Sequence, residues 1–407
     1  MLIITTIRPK SINGKGHSQP RISQQQKVAS VLLMVNQPSG NSRTIEEIER
    51  LQNAFHRAFA PIPWRNFAIT TRHDEVVGLT RSFLNLSPGP WLLLSGGGGG
   101  TNRAVVQGAL TEVKKGTVCS DDVQISTLRL GSGNLLPRQF GLPREPSLAM
   151  QGIANDLFAG RHSPCCVYRC IFHEPDGQTR DFYGLTMAGV GQFARVPNDI
   201  KQWRNKHVSL MQWASQRVPL EGINTFQYVA FSLVRAAKCI IQPRRAELIE
   251  VRQNECSDRF RLFSGILVNF DFPQLPFQGG CAVDEPRLVL GLIPQAGRGQ
   301  TISTLLSWPH LDGHIRKYEI TPGRPIEIRF LGNGGTTVAL DEDTFLAPKR
   351  ISFEVATCLR FVTGANLKKN LSGPGKTHRE EAPLSSPEFP QFLNINSFVQ
   401  KEGGKNS

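Results

Sequence analysis

The sequence predicts two fold classes in tandem: α/β + all-β, with an N-terminal doubly wound parallel α/β domain followed by a C-terminal antiparallel β-sandwich. Three observations predict this. Apolar strand-like runs alternate with amphipathic helical patterns over 28–145 in the order βαβαβαβ. Glycine-rich loops follow successive strands instead of separating domains. From residue 165 onward, short alternating runs recur at close intervals, bounded by Gly, Pro and Asp. A chain of 407 residues is long for one core, and the predicted domains are 28–160 and 161–365, flanked by arms at 1–27 and 366–407.

The first strand, 28–35, is β-branched and apolar and runs into the turn Asn36-Gln37-Pro38-Ser39-Gly40. An amphipathic helix follows over 45–59, then a short strand over 65–71 and a helix over 74–84. Pro90-Trp91-Leu92-Leu93-Leu94 reads as a buried strand and leads into five glycines, Gly96 to Gly100. Thr101 is placed to cap a helix in which Val105, Val106, Ala109, Leu110 and Val113 recur at helical spacing. Strand, glycine loop and helix start together bring bare backbone N–H groups and a positive helix end to one point, the arrangement that holds a phosphate. The pattern repeats over 125–130, which leads into Gly131-Ser132-Gly133-Asn134 before a helix that stops at Gly141-Leu142-Pro143. Neither loop fits a common nucleotide fingerprint: Leu136 stands where a dinucleotide loop has its third glycine, and the five-glycine run lacks the Lys-Ser/Thr pair of a P-loop.

The later strands are predicted at 166–172, 246–251, 260–269, 287–293, 325–330 and 351–355. One helix interrupts them over 226–240, with Phe226, Val229, Ala230, Val234 and Ala237 on one side. Trp203, Met211 and Trp213 with Lys201, Arg204, Lys206 and Arg217 form a second amphipathic stretch, suited either to a membrane surface or to packing its Trp side on the sandwich.

Composition narrows the partners. The net charge is +14, of which the arm 1–27 supplies +5 and the tail 366–407 supplies +2. Both ends are rich in Gly, Ser, Pro, Asn and Gln and are expected to be disordered. The remaining +7 attracts polyanions: nucleic acid, an anionic lipid surface or nucleotide phosphates. Nucleic acid is disfavoured, because aromatics interleaved with basic residues are sparse outside Trp203-Arg204 and Arg244-Arg245 and no reading motif occurs. No apolar run is long enough for a transmembrane segment or a secretory core. The expected location is therefore cytoplasmic, with peripheral membrane contact. Eight scattered cysteines read as reduced, mostly buried thiols; Cys165, Cys166 and Cys170 beside His162 and His173 are read as core and not as a metal site.

In order and spacing, these motifs resemble the catalytic family of diacylglycerol kinases, which includes sphingosine kinases and bacterial lipid kinases. Asn36-Gln37-Pro38-Ser39-Gly40 is similar to the family's Asn-Pro-x-Ser-Gly loop, and Gly97-Gly98-Gly99-Gly100-Thr101 stands in place of Gly-Gly-Asp-Gly-Thr. Gly131-Ser132-Gly133-Asn134, Gly141-Leu142-Pro143, Phe182-Tyr183-Gly184, Gly189-Val190-Gly191, Gly279-Gly280, Gly313-His314 and Leu340-Asp341 continue the match over nearly all of 28–365. The resemblance implies a lipid kinase that moves the γ-phosphate of ATP, with Mg²⁺, to a lipid hydroxyl of diacylglycerol or sphingoid type at an anionic membrane surface. It implies a nucleotide site formed by Asn36, Ser39, Thr70, Gly97, Gly98, Gly99, Gly100, Thr101, Gly131, Ser132, Gly133 and Asn134. Asp341 is expected as the base acting on the acceptor hydroxyl, by likeness to the acid of the family's Asp-Gly-Glu motif, although the triplet here reads Asp341-Glu342-Asp343. Asp284 and Asp343 are expected as metal ligands.

Four departures bear on activity. Gly99, Ala104, Leu135 and Phe193 stand where the family carries acids, and losing one preorganised electrostatic contact costs roughly 10²–10³ in rate. Three readings stay open: an active lipid kinase using residual acids, a catalytically impaired relative that binds nucleotide or lipid as a regulator, and a scaffold for another anionic ligand. The acceptor and any homo-oligomerisation are left open by the sequence.

Overall fold

The computed structural model describes residues 4–7, 28–37, 44–215, 217–218, 220–241, 247–271, 279–295, 314–332 and 336–364. In chain order the first half comprises β1 (Ile4–Ile7), β2 (Ser30–Asn36), α1 (Ile45–Ala58), β3 (Trp64–Thr70), α2 (His73–Leu86), β4 (Trp91–Gly96), α3 (Gly99–Lys114), β5 (Val123–Thr127), α4 (Leu135–Gln139) and α5 (Pro146–Phe158). Strands β3, β2, β4 and β5 lie side by side in that order, and all are parallel. Their residues explain the pairing. Val31 to Val35 and Leu92 to Leu94 are almost wholly buried, as strands covered on both faces must be. Helix α1 starts with a capping box, in which Thr44 and Glu47 each accept from the other's backbone N–H. Helix α2 packs on α3, and α1 packs on α5.

Because β3 lies on one side of β2 and β4 on the other, the chain reverses its direction of winding between β2 and β4. A crevice therefore opens beyond the carboxyl ends of these two strands, where α/β sheets bind ligands.

The second half runs β6 (Ser163–His173), β7 (Thr179–Gly184), β8 (Met187–Gly191), α6 (Val196–Lys206), α7 (Val208–Ser215), α8 (Leu220–Ile241), β9 (Glu247–Gln253), β10 (Cys256–Val268), β11 (Leu288–Pro294), β12 (Arg316–Ile320), β13 (Ile326–Phe330), β14 (Thr336–Leu340), β15 (Asp343–Ala347) and β16 (Arg350–Phe361). Its internal pairings are antiparallel. They enclose a second core that includes Tyr168, Phe172, Ile249, Leu290, Ile328 and Phe353. The predicted fold class is therefore the observed one.

Three expectations are corrected. The arm 1–27 is not wholly outside the fold, since β1 adds an antiparallel edge to β3, with Ile4 opposite Ala68 and Ile7 opposite Arg65. Residues 160 and 161 do not mark a break in the sheet: the last strand, β16, pairs with β6 and also lies parallel to β5, with Arg360 opposite Gln124. The predicted helix 226–240 begins six residues earlier, and its Phe226 and Val234 are exposed instead of packed. The tail 366–407 lies outside the described residues. Of the cysteines described, Cys165, Cys166, Cys170 and Cys281 are buried and Cys119, Cys256 and Cys358 are exposed, all as free thiols.

Candidate active site

The crevice at the strand ends is built from the residues that the glycine spacing singled out. Asn36 ends β2, pairs in register with Thr70 at the end of β3, and donates from Nδ2 to Thr101 Oγ1 at 3.1 Å. Thr70 is fully buried and donates to the Val35 carbonyl. Helix α3 starts two residues before the expected cap: Gly98 is the N-cap, and Thr101 lies inside the first turn with its hydroxyl held by Asn36. Ser95 and Thr127 both donate to Asn102 Oδ1, which ties the ends of β4 and β5 to the start of α3.

The two glycine loops touch. A Cβ on Gly131 would lie 2.5 Å from Gly98 Cα and 2.9 Å from both the Gly97 carbonyl oxygen and the Gly98 nitrogen. Only glycine at 131 permits this approach. The second loop is pinned by its own Asn134, whose side chain accepts from Gly131 N at 2.9 Å and donates to Gly131 O at 2.8 Å. Asn134 adopts the left-handed conformation that asparagine tolerates. Among the predicted nucleotide residues, Ser39 lies outside the described residues; the loops carrying Gly97 to Thr101 and Gly131 to Asn134 are in contact, and Asn36 and Thr70 border them.

The second half closes over these loops with the turn Asp341-Glu342-Asp343. Asp341 is corrected from base to clamp. It is buried and accepts at Oδ2 from Leu185 N at 2.6 Å, and at Oδ1 from Thr186 N, Thr186 Oγ1, Met187 N and Tyr168 OH at 2.6–3.2 Å. Burial pushes its pKa up against these donors, and its bonds tie the turn to Tyr168 and to the backbone of Leu185, Thr186 and Met187.

Asp343, expected as a metal ligand, is held in ion pairs. Asp343 receives Arg103 Nη2 at 2.6 Å and His73 Nδ1 at 3.0 Å. Burial works to raise it, yet these two partners hold it below the ordinary carboxylate range. The charge of Asp284 opposes ionisation of the Cys358 thiol. Among the described residues no group of three His, Cys, Asp or Glu side chains is disposed to hold a cation. The donor set therefore does not fit a Mg²⁺ ion held by the protein alone.

The carboxyl that does face the loops is Glu342, which the sequence reading left unassigned. Its Cδ lies 3.5 Å from where a Cβ on Gly99 would stand, and its Oε1 lies 3.2 Å from the corresponding point on Gly133. Asn224 Nδ2 of α8 lies 3.0 Å from that same point on Gly133. Removal from water pushes Glu342 up to about 7; Arg204 and His73 oppose this, while Asp343 and Asp341 reinforce it. Its backbone has φ +80°, a left-handed conformation that a glycine would adopt without strain. The signal available in the sequence was an acid at the centre of a triplet whose relatives carry glycine there.

Residues 30–159 match the diacylglycerol kinase catalytic domain. Solved structures of candidate diacylglycerol kinases from Bacillus anthracis strain Sterne share the fold. One is 15% identical with a TM-score of 0.56, and another is 15% identical with a TM-score of 0.54; each comparison covers 83% of this chain and 98% of the other. No curated protein matches the chain.

Proposed function

We propose, from the premise that residues 30–159 belong to the diacylglycerol kinase catalytic family, that the chain is an ATP-dependent kinase phosphorylating a lipid hydroxyl of diacylglycerol or sphingoid type at an anionic membrane surface. The observation that carries this reading is the contact of two glycine loops at the switch point of the parallel sheet, Gly131 against Gly97 and Gly98. Free backbone N–H groups at the start of α3 suit phosphates, and phosphoryl transfer depends chiefly on holding them in line. Asn36 and Thr101, which bond each other across β2 and α3, border the same loops.

Glu342 takes the role first expected of Asp341. A carboxyl with a pKa of about 7 is suited to accept the proton of an attacking hydroxyl near neutral pH. Asp341 acts through it, fixing the turn on which Glu342 stands. A divalent ion carried by the phosphates of ATP lies outside the protein's own donor set, and neither Asp284 nor Asp343 is given a part in binding it.

A second reading, a catalytically impaired protein that binds nucleotide or lipid as a regulator, is favoured by one observation: Asp343 is locked between Arg103 and His73 beside a helix start that carries no acid. Transfer of labelled γ-phosphate from ATP to a lipid panel separates the two. Labelled lipid that disappears in Glu342→Gln supports the kinase; no label on any lipid, with ATP still raising the melting temperature, supports the regulator.

A further inference from the structure

Helix α8 turns Tyr228 and Phe231 inward toward Phe193 and Trp203 and presents a second apolar stripe to solvent. Phe226, Ala230, Leu233, Val234 and Ala237 recur at intervals of three and four residues and share one face. On that face Phe226 is 73% exposed, Leu233 43% and Val234 48%, whereas Asn224, on the side opposite Leu233, is 7% exposed, and Gln227, at the edge of the stripe, is 5% exposed. This orientation is fixed by polar bonds. Arg204 of α6 donates to Asn224 Oδ1 at 2.6 Å and to Gln227 Oε1 at 2.6 and 2.8 Å, and Arg235 forms two bonds of 2.6 Å with Asp199. A soluble helix ordinarily leaves its outer face polar.

The neighbouring segment extends this surface. Val208, Leu210 and Trp213 of α7 and Val218 after it are each about half exposed. Seven of the fourteen large apolar side chains exposed among the described residues fall between 208 and 234, a concentration that scattered surface residues do not produce. Exposed Lys201, Lys206, Arg217 and Lys238 belong to the same segment, and the Arg217 guanidinium lies 4.3 Å over the Trp213 ring. Among the described side chains of these helices the one acid, Asp199, is paired. None of the helices described is long and apolar enough to cross a membrane.

We propose that α7 and the outer face of α8 form a docking surface for an anionic lipid bilayer, with the apolar side chains entering the headgroup boundary and the cations meeting lipid phosphate and carboxylate. Apolar residues interleaved with exposed positive charge are the chemistry of an interfacial helix. A second copy fits less well, because a two-fold contact would set the same cations against one another. The inner side of α8 reaches the candidate active site, where Asn224 adjoins Gly133. A bilayer on the outer side would thus lie about one helix diameter, roughly 10 Å, from the crevice. This purpose rests on the lipid-kinase reading; the surface itself does not, since docking needs no turnover.

The test is flotation of the full chain with vesicles of equal parts phosphatidylcholine and phosphatidylserine, compared with phosphatidylcholine alone. The expected result is binding to the mixed vesicles only, reversed by high salt. The double variant Trp213→Ser/Phe226→Ser should lose about tenfold or more in affinity. Lys206→Gln and Arg217→Gln should each lose about fivefold. Leu86→Ser, which removes an exposed apolar side chain on α2, should bind as the parent does. Equal binding to both vesicle types, no binding to either, or a double variant that binds normally would overturn the proposal. So would a dimeric parent that the double variant turns monomeric without either form binding vesicles. Normal docking with no lipid phosphorylated would instead refute the kinase reading and leave the surface standing.

Discussion

Replacing Gly131 with alanine tests whether the two glycine loops form one cradle. The new methyl group would stand 2.5 Å from Gly98 Cα and 2.9 Å from Gly97 O, all backbone atoms that cannot swing aside. Forcing a methyl group into packed surroundings costs about 1–3 kcal/mol, and with unfolding entropy scaling with chain length this lowers the melting temperature by about 1–4 °C. The loops must also part to relieve the contact, which moves Gly98, the N-cap of α3. The stabilisation by ATP should therefore shrink beyond the loss in melting temperature. Gly78→Ala is the comparison, since a Cβ there meets nothing within 4 Å in the exposed interior of α2; it should stabilise by about 0.5–1 kcal/mol. Thermal melts of the three proteins with and without ATP decide the matter. A Gly131→Ala protein with the parent's melting temperature and the parent's ATP shift would refute the contact and the cradle with it.

The remaining predictions concern charge. Glu342 is raised from 4.5 to about 7 in the fold, so the folded state keeps a proton that the unfolded state has already lost, and stability falls as pH rises from 4.5 through 7. Glu342→Gln should therefore match the parent near pH 4.5 and melt higher above pH 7, while the parent's own rate profile should carry an acidic limb near pH 7. Asp341→Ala leaves several buried donors unpaired and should cost more than about 4 kcal/mol; chemical denaturation that finds normal stability would contradict its role as a clamp. Glu112, on α3, accepts hydrogen bonds from Arg81, Asn85, Lys115 and Thr117, which lower its pKa to about 2. Its stabilisation is complete above pH 4.5 and is lost as pH falls toward 2. Glu112→Gln should lose about 1–3 kcal/mol at neutral pH, with the difference narrowing in acid, as urea unfolding at several pH values would measure.

The parallel half was legible because a strand buried on both faces must be apolar throughout, as Val31 to Val35 and Leu92 to Leu94 are. The loops were legible because glycine is the residue that lets two backbones meet, as at Gly98 and Gly131. Periodicity found α8 but not its orientation. It gives the angles between residues, whereas which side goes inward shows only in the folded contacts: Arg204 satisfying Asn224 and Gln227, and Tyr228 and Phe231 facing Phe193 and Trp203. The roles within Asp341-Glu342-Asp343 were hidden for a similar reason. Neighbours in the chain, these three carboxyls face different surroundings supplied by β7, β8, α2, α3 and α8, and only the folded contacts distinguish the clamp, the free acid and the ion pair.

Strand β16 has a consequence for how the protein is made. Its end lies beside β5, where Ser126 Oγ donates to the Val362 carbonyl across 236 residues of sequence. On the ribosome, the parallel sheet emerges early with the β5 edge unpaired, and that edge stays open until nearly the whole fold has been synthesised. An uncovered strand edge of this kind is a template for wrong pairing. Emergence of β16, and not completion of the glycine loops, is then the event that seals the first half. A nascent chain whose residues 350–361 are still inside the ribosome should be more readily captured by chaperones than one in which that segment has emerged.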